Sequence, residues 1–417
     1  MIKSQFSPVN EGFDYTFDSR ISEEVLRNYL ARSMVLSLFD SGNEYGIPSE
    51  KLEEEAIRII TGCGAKYLAR AGCAWIPSGK ETERWEDMRR LAEKLHAADP
   101  ELILEACIFE TAYPCFEEFE IPTHVLEAFG QKPEKRHFRY ADMLFPDGRY
   151  VDHWEPGGSV PDITRLETQM FFYFRGCLYI DLGFEALHCG QVLLMGETDP
   201  DHACWTRVLN LLRDYAKTHA RRHFVLLNAH THGMIGTDGK LLFDFHAYPA
   251  RPVAFAEDPP HIATEHNPQR CRLISGWGNS IYNRSLGGLT HSGWTCEHLP
   301  YFVEIDNYGC QPPELLNTQV DYYPWGYDEI SWFANQPKWY RKQWIAEAWQ
   351  WLQETDPNGY LELLGGRTAR FYDPESPDLL TRGTFYYVNG PEFQDLDILT
   401  DTWQADHDTR TKKGVTP

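Results

Sequence analysis

Acidic and imidazole side chains recur at the ends of apolar runs in this chain of 417 residues. Glu110, Glu185 and Asp306 each end one run, and His230 and His246 end two others. Strands of a parallel sheet are normally apolar on both faces, so such groups are costly to bury unless they meet in one polar pocket. Two carboxyl groups in one pocket can divide the roles of proton donor and nucleophile, which is the chemistry of glycosidic-bond cleavage.

Spacing by two supports a shared pocket, because residues i and i+2 of a strand point to the same face. The groups that share a face on this rule are Glu304 with Asp306, Asp181 with Glu185, His230 with His232, and Asp244 with His246.

We expect Glu185 to act as general acid and base and Asp306 to act as nucleophile or base. Glu304, His232 and His246 are expected to orient the sugar and the carboxylates, while Asp181 and Gln191 support Glu185. The sequence thus predicts a catalytic group of Glu185, Asp306 and Glu304. It also predicts a substrate-binding group of Glu110, Asp181, Gln191, His230, His232, Asp244, His246, Trp277, Asn307 and Trp75.

Aromatic residues make up 14% of the chain, including 13 Trp and 22 Tyr. Several of them, among them Trp75 and Trp277, follow predicted strands instead of forming helical stripes. An aromatic face at such a place can stack on the apolar face of a sugar ring. This pattern favours a carbohydrate as the substrate.

Two other functions fit the same residues. His230 and His232, with Asp244, His246 or Asp306, have the residue types of a zinc site, which would indicate a metal-dependent hydrolase. Alternatively, the pocket binds a sugar but lacks a competent acid, and the protein is not an enzyme.

Eight apolar runs alternate with helical stretches, which predicts a parallel sheet covered by helices and, with eight runs, a (β/α)₈ barrel. We expect the barrel to span residues 33–367, with an inserted loop at 131–162 that is rich in Pro and Gly. Residues 1–32 form an N-terminal extension and residues 368–417 a C-terminal tail in this interpretation.

One connection departs from the barrel pattern. Only about eight residues separate the fifth run, His223–Asn228 with its His230 and His232, from the sixth run, Leu241–His246, whereas a parallel crossover needs a dozen or more. Either the crossover helix has been lost here, or the two runs form a hairpin.

Composition excludes several classes of function. The net charge of −23 and the pI of about 5.1 argue against a nucleic-acid or anionic-membrane partner. No Gly-x-Gly-x-x-Gly follows a strand, and no Cys-x-x-Cys pair occurs, so we expect neither a dinucleotide cofactor nor a structural zinc. The N-terminus has no apolar segment of a secretory signal, and the scattered cysteines are typical of reduced thiols, so we expect a cytoplasmic protein without cofactor.

The strand-end carboxylates and loop aromatics resemble those of the (β/α)₈ glycoside hydrolases. In the large clan of retaining enzymes, the acid/base Glu ends strand four and the nucleophile ends strand seven. The resemblance implies these places for Glu185 and for Asp306 or Glu304, although Phe184 stands where the clan usually has Asn. The stretch from Tyr179 to Gln191 is also similar to a motif of uncharacterised bacterial barrel proteins.

Overall fold

The computed structural model of the chain describes residues 8–39, 49–250, 252–254, 257–258, 261–273, 284–306, 329–373, 376–390 and 393–412. These residues form a mixed α/β fold built on a nearly closed barrel of eight parallel strands. The structure therefore confirms the barrel-like fold expected from the alternating apolar runs. Among the described helices, none combines the length and the apolar character needed to cross a bilayer.

The barrel strands are short and buried, and they neighbour one another in the order β5-β4-β3-β2-β1-β8-β7-β6. In chain order they are β1 (Ser33–Leu36), β2 (Tyr67–Gly72), β3 (Ile103–Cys107), β4 (Ala186–His188), β5 (Leu226–Asn228), β6 (His246–Pro249), β7 (Tyr301–Glu304) and β8 (Gly359–Asp373).

The two ends of this strand order, β5 and β6, approach each other through backbone hydrogen bonds. The amide of Asp244 donates to the carbonyl of Leu227 over 2.8 Å, and the amide of Ala247 donates to that of Ala229 over 3.1 Å. Residues 229–245, which connect these two strands, contain turns and an isolated bridge between Ile235 and Leu241 but no helix.

Helices cover the outside of the barrel with their apolar faces. In α7, for example, Trp205, Leu209, Leu212 and Ala216 recur at helical spacing and are buried. The helices are α1 (Glu23–Leu30), α2 (Ser49–Cys63), α3 (Trp85–Ala98), α4 (Thr123–Ala128), α5 (Leu166–Asp181), α6 (Val192–Met195), α7 (Ala203–His219), α8 (Glu329–Asn335), α9 (Lys338–Thr355) and α10 (Leu396–Lys412). Short 3-10 helices lie at Pro8–Asn10, Gly79–Arg84, Pro114–Glu118 and Tyr140–Met143.

The fourth predicted strand is wrong. Residues Leu178–Asp181 belong to the end of α5, and the fourth strand begins only at Ala186. Almost every residue of α5 is buried, so the helix shows no polar face and its last turn reads as a short apolar strand.

The C-terminal region contains a pair of antiparallel strands and a helix. Strand β8 runs beyond the barrel to Asp373 and pairs antiparallel with β9 (Ser376–Tyr387). Helix α10 follows, and its buried Asp406 accepts a 2.7 Å hydrogen bond from Arg32, next to β1. Four two-residue strands complete the described elements: Val253–Ala254, Cys271–Arg272, Gly288–Leu289 and Thr295–Cys296.

Candidate active site at the carboxyl end of the barrel

A buried carboxylate, Glu304, ends β7 and is clamped by a guanidinium. Arg70 Nε donates to Oε2 of Glu304 over 2.8 Å, and Arg70 Nη2 donates to Oε1 over 2.6 Å. His230 Nε2 lies 2.5 Å from the same Oε1. The two hydrogen bonds from Arg70 fix the orientation of the carboxylate and stabilise its negative charge.

Arg70 reaches Glu304 because β2 is irregular where it carries this side chain. Arg70 has a left-handed backbone with φ of 50°, and the register of β2 against β3 shifts between Leu68 and Gly72. A left-handed conformation costs energy for a residue with a Cβ and is concentrated at functional sites. The strained backbone at Arg70 therefore indicates that this part of β2 serves to place the Arg70 side chain in the site.

The charges around Glu304 keep it ionised. Burial opposes ionisation, but Arg70 and His230 outweigh it and hold the pKa of Glu304 well below its usual range. Asp306, two residues further, places Oδ1 3.9 Å from Arg70 Nη1, and its side chain is 12% exposed against 3% for Glu304. Ligand atoms of His230, Glu304 and Asp306 all lie within 4.8 Å of one another.

A second polar layer supports Arg70 from inside the barrel. Glu105 accepts hydrogen bonds from Tyr67 Oη at 2.5 Å, Asn228 Nδ2 at 2.7 Å and the backbone amide of Arg70 at 3.0 Å. Asn228 Oδ1 lies 2.6 Å from His188 Nδ1, which must therefore be the donor. Burial, with His230 and Arg70, holds the pKa of His188 well below its usual value, so this imidazole is neutral.

A neutral acid lies beside the ionised one. Glu362 on β8 is in register with Glu304 on β7, and Ser33 Oγ donates to Glu362 Oε1 over 3.1 Å. Burial, reinforced by the negative charges of Glu304 and Glu105, raises the pKa of Glu362 well above its usual value. The two adjacent carboxyl groups are thus held in opposite protonation states.

Aromatic side chains form a wall beyond the carboxyl ends of β2 and β3. Trp75 Nε1 donates to Tyr113 Oη over 2.9 Å, and the rings of Trp75 and Trp154 lie 5.6 Å apart. Tyr113 Oη donates to Glu155 over 2.7 Å. Trp154 and Glu155 come from the 131–162 segment, so this insertion supplies part of the wall.

Glu110 lies behind this wall and is held by Gln191. The Gln191 side chain donates to Glu110 Oε1 over 2.9 Å, and its backbone amide donates to Oε2 over 3.1 Å. Gly190 has a φ of +63°, and a Cβ there would lie 1.9 Å from Glu110 Oε2. Only glycine at position 190 permits this approach.

The structure moves Glu185 to the opposite end of the barrel. Glu185 precedes β4 instead of ending it, so it lies at the amino ends of the strands. Its Oε2 accepts a 2.7 Å hydrogen bond from Arg221 and lies 3.7 Å from His96 Nε2, while Oε1 lies 3.6 Å from Arg222 Nε. The predicted position of Glu185 at the end of the fourth strand is therefore wrong, and the residue belongs to a buried cluster with Arg221, Arg222 and His96.

Asp181 and Asp244 are also away from the opening. Asp181 ends α5, is exposed, and accepts a 2.8 Å hydrogen bond from Tyr215. Asp244 Oδ2 accepts from the backbone amide of Leu227 over 2.9 Å and lies 3.6 Å from Arg213, where it joins β5 and β6. Both predicted substrate contacts are corrected to structural ones.

His232 and His246 do not share a pocket with His230. On β7, Glu304 points into the barrel, so Tyr301 and Val303 point outward, and their register partners on β6 are His246 and Tyr248. The ring of Tyr248 lies 4.6 Å from that of Tyr301 and 5.0 Å from that of His232. These two histidines therefore belong to the outer layer, and β5 ends before either His230 or His232.

Among the predicted site residues, Glu304, Asp306 and His230 lie close together, and Glu110, Gln191 and Trp75 lie beyond the carboxyl ends of β3, β4 and β2. Trp277 and Asn307 lie outside the described residues. The site predicted from the sequence does not include Glu105, Glu362, Arg70, Asn228 or His188. These residues could have been found as charged or polar residues inside apolar runs. Arg70, within the run Tyr67–Trp75, is an example.

No protein-family model matches the chain, and no curated protein matches it in sequence. The chemistry of the opening therefore rests on its own residues: an ionised carboxylate, a second carboxyl close to it, and an aromatic wall.

Proposed function

We propose that the protein is a glycoside hydrolase that works at the carboxyl end of its barrel. The observation that carries the proposal is the buried Glu304, kept ionised by Arg70 and His230 and lying within 4.8 Å of the Asp306 carboxyl group. Glycoside hydrolysis needs two carboxyl groups, one that acts as nucleophile or base and one that acts as general acid. The Trp75–Trp154 wall supports a sugar as the substrate.

In this proposal Glu304 attacks the anomeric carbon, and Asp306 gives its proton to the leaving oxygen as the glycosidic bond breaks. Water then loses a proton to Asp306 and displaces the sugar from Glu304. The short separation of the two carboxyl groups favours retention, because inverting enzymes need about 6.5–9.5 Å between them to admit water. Arg70 orients Glu304, and Gln191 holds Glu110 behind the aromatic wall.

The test is turnover of a panel of 4-nitrophenyl glycosides by the wild type, Glu304→Gln and Asp306→Asn. We expect each variant to lose at least about 10³-fold in kcat/KM, as removal of a group that acts in the transition state does. Asp181→Asn, a carboxyl exposed at the other end of the barrel, is the matched control and is expected to keep full activity. Near-wild-type turnover by both site variants would overturn the proposal.

A metal-dependent hydrolase is the second candidate, because His230, Glu304 and Asp306 have the residue types and proximity of a metal site. Metal analysis of the purified protein discriminates: a stoichiometric divalent metal, lost to a chelator together with activity, favours the metal mechanism. Sugar binding without hydrolysis of any glycoside in the panel would instead indicate a binding protein.

A further inference from the structure

Two cysteines face each other at the ends of neighbouring strands. Gly72 pairs with Ala106, and a Cβ built on Gly72 would lie 3.4 Å from that of Ala106, so both face the outer layer. Cys107, the next residue of β3, therefore faces inward, and the side chain of Cys73, directly after β2, is hydrogen-bonded to it. Adjacent strands are about 4.8 Å apart, which suits the Cα separation of a disulfide.

The surroundings distinguish the two thiols. Arg367 Nη1 lies 3.8 Å from Cys73 Sγ, and Cys73 is partly exposed whereas Cys107 is buried. A hydrogen bond from Cys107, with the charges of Arg367 and Arg70, lowers the pKa of the Cys73 thiol to about 6, against the opposing effects of burial and Asp306. Burial and the same contact raise the pKa of Cys107 well above its usual value.

We propose that Cys73 and Cys107 form a redox site at the mouth of the barrel, which peroxides oxidise to a reversible disulfide. The partly exposed Cys73 is the attacking sulfur, and the buried Cys107 is the resolving one. This site does not depend on the proposed glycosidase activity, since none of its steps uses a sugar.

The chemistry proceeds in two steps. The Cys73 thiolate attacks one oxygen of hydrogen peroxide, the O–O bond breaks, and Cys73 sulfenic acid and hydroxide form. The Cys107 thiol then attacks the sulfenic sulfur, a disulfide forms, and water leaves with the thiol proton. A dithiol reductant restores both thiols.

The test is mass spectrometry of the full-length protein after treatment with hydrogen peroxide and then with an alkylating agent. We expect a disulfide between the Cys73 and Cys107 peptides that dithiothreitol removes. In Cys107→Ser, we expect a sulfenic acid on Cys73 that dimedone traps. At pH 6, iodoacetamide should modify Cys73 on the order of tenfold faster than Cys204, because more of the Cys73 thiol is ionised at that pH.

Cys204→Ser is the matched control, because Cys204 is partly exposed but burial and Asp199 raise the pKa of its thiol. This variant should form the Cys73–Cys107 disulfide as the wild type does. Alkylation of Cys73 no faster than that of Cys204, or peroxide treatment that leaves Cys73 and Cys107 unlinked in the folded wild type, would overturn the proposal. Glycoside turnover is measured separately, so either proposal can fail alone.

Discussion

Two opposing effects set the protonation state of the Glu304 carboxyl group. Burial favours the neutral acid, while Arg70 and His230 favour the anion and prevail. Glu362, its neighbour in the next strand, makes no ion pair with any residue that the structure describes: Ser33 gives it a neutral hydrogen bond, and it stays protonated. The same residue type thus has opposite states in adjacent positions because only one of the two is paired with a cation.

His246 provides a residue-scale prediction about stability. It is fully buried, neither ring nitrogen has a hydrogen-bond partner among the described residues, and burial lowers the pKa of its imidazole to about 3. The unfolded chain takes up this proton near pH 6.5 and the folded one does not, so stability falls as pH falls below 6.5. We expect His246 to contribute about 2 kcal/mol of destabilisation between pH 6.5 and 5.

Urea denaturation of the wild type and His246→Phe at several pH values measures this contribution. The variant should lose less stability than the wild type on acidification over that range. His266→Phe, at an exposed histidine, should show the wild-type dependence. Parallel pH curves for the wild type and His246→Phe would show that His246 does not have this role.

The carboxylates that the sequence and the structure both place at the carboxyl end of a strand are those that end the strand or come just after it, such as Glu304 and Asp306. Arg70 is harder to predict, because its role depends on an irregularity in β2 and on a partner 234 positions away. His232 and His246 were misplaced for a related reason. The rule that residues i and i+2 point to the same face holds only within a strand, and β5 ends at Asn228.

At the scale of elements, the 131–162 insertion matters because it brings aromatic and polar groups to the opening. Trp154 is anchored there by a 3.0 Å hydrogen bond from its Nε1 to the carbonyl of Glu110. Its ring packs against Trp75 and His153. The insertion is therefore part of the proposed substrate site.

We expect Trp154→Ala to weaken substrate binding more than chemistry, because the residue is part of the wall and does not contact Glu304 or Asp306 through any described interaction. KM should rise about fivefold, equivalent to the roughly 1 kcal/mol typical of an aromatic contact, with kcat nearly unchanged. Steady-state kinetics on the best glycoside measure this, with Trp339→Ala, at an exposed Trp of α9, as the control. A fall in kcat at constant KM would contradict this role.

The alternation of strands and helices is predictable from the sequence because each barrel strand is a short buried run flanked by amphipathic helices. The boundaries of the elements are harder to predict from the sequence where a helix is buried on all sides. Helix α5 is such a case, and its last turn was taken for a strand, which moved Glu185 to the wrong end of the barrel. Because Glu185 precedes its strand, it lies at the amino end of the barrel and not at the carboxyl end.

At the scale of the whole molecule, the two ends of the barrel have different polar clusters. The carboxyl end carries Glu304 with Arg70 and His230, next to the partly exposed Asp306. The amino end carries Glu185 with Arg221, Arg222 and His96. In barrels of this architecture, function gathers at the carboxyl end, and the other end contributes to stability.

We therefore expect Glu185→Gln to destabilise the fold by about 2 kcal/mol while the turnover of folded molecules is unchanged. The loss arises because the variant leaves Arg222 beside a neutral partner and weakens the Arg221 contact. Chemical denaturation and active-site-normalised kinetics check the two parts. Lost turnover at wild-type stability would restore Glu185 to the catalytic group and contradict the separation of the two ends.

The most direct test of the central claim is covalent trapping. The protein is incubated with a 2-deoxy-2-fluoro glycosyl fluoride of the sugar that it cleaves fastest, and the labelled peptide is identified by mass spectrometry. The proposed mechanism predicts one glycosyl ester per chain, on Glu304, and none in Glu304→Gln. An adduct on a different carboxylate, or no adduct from an enzyme that turns over the parent glycoside, would contradict it.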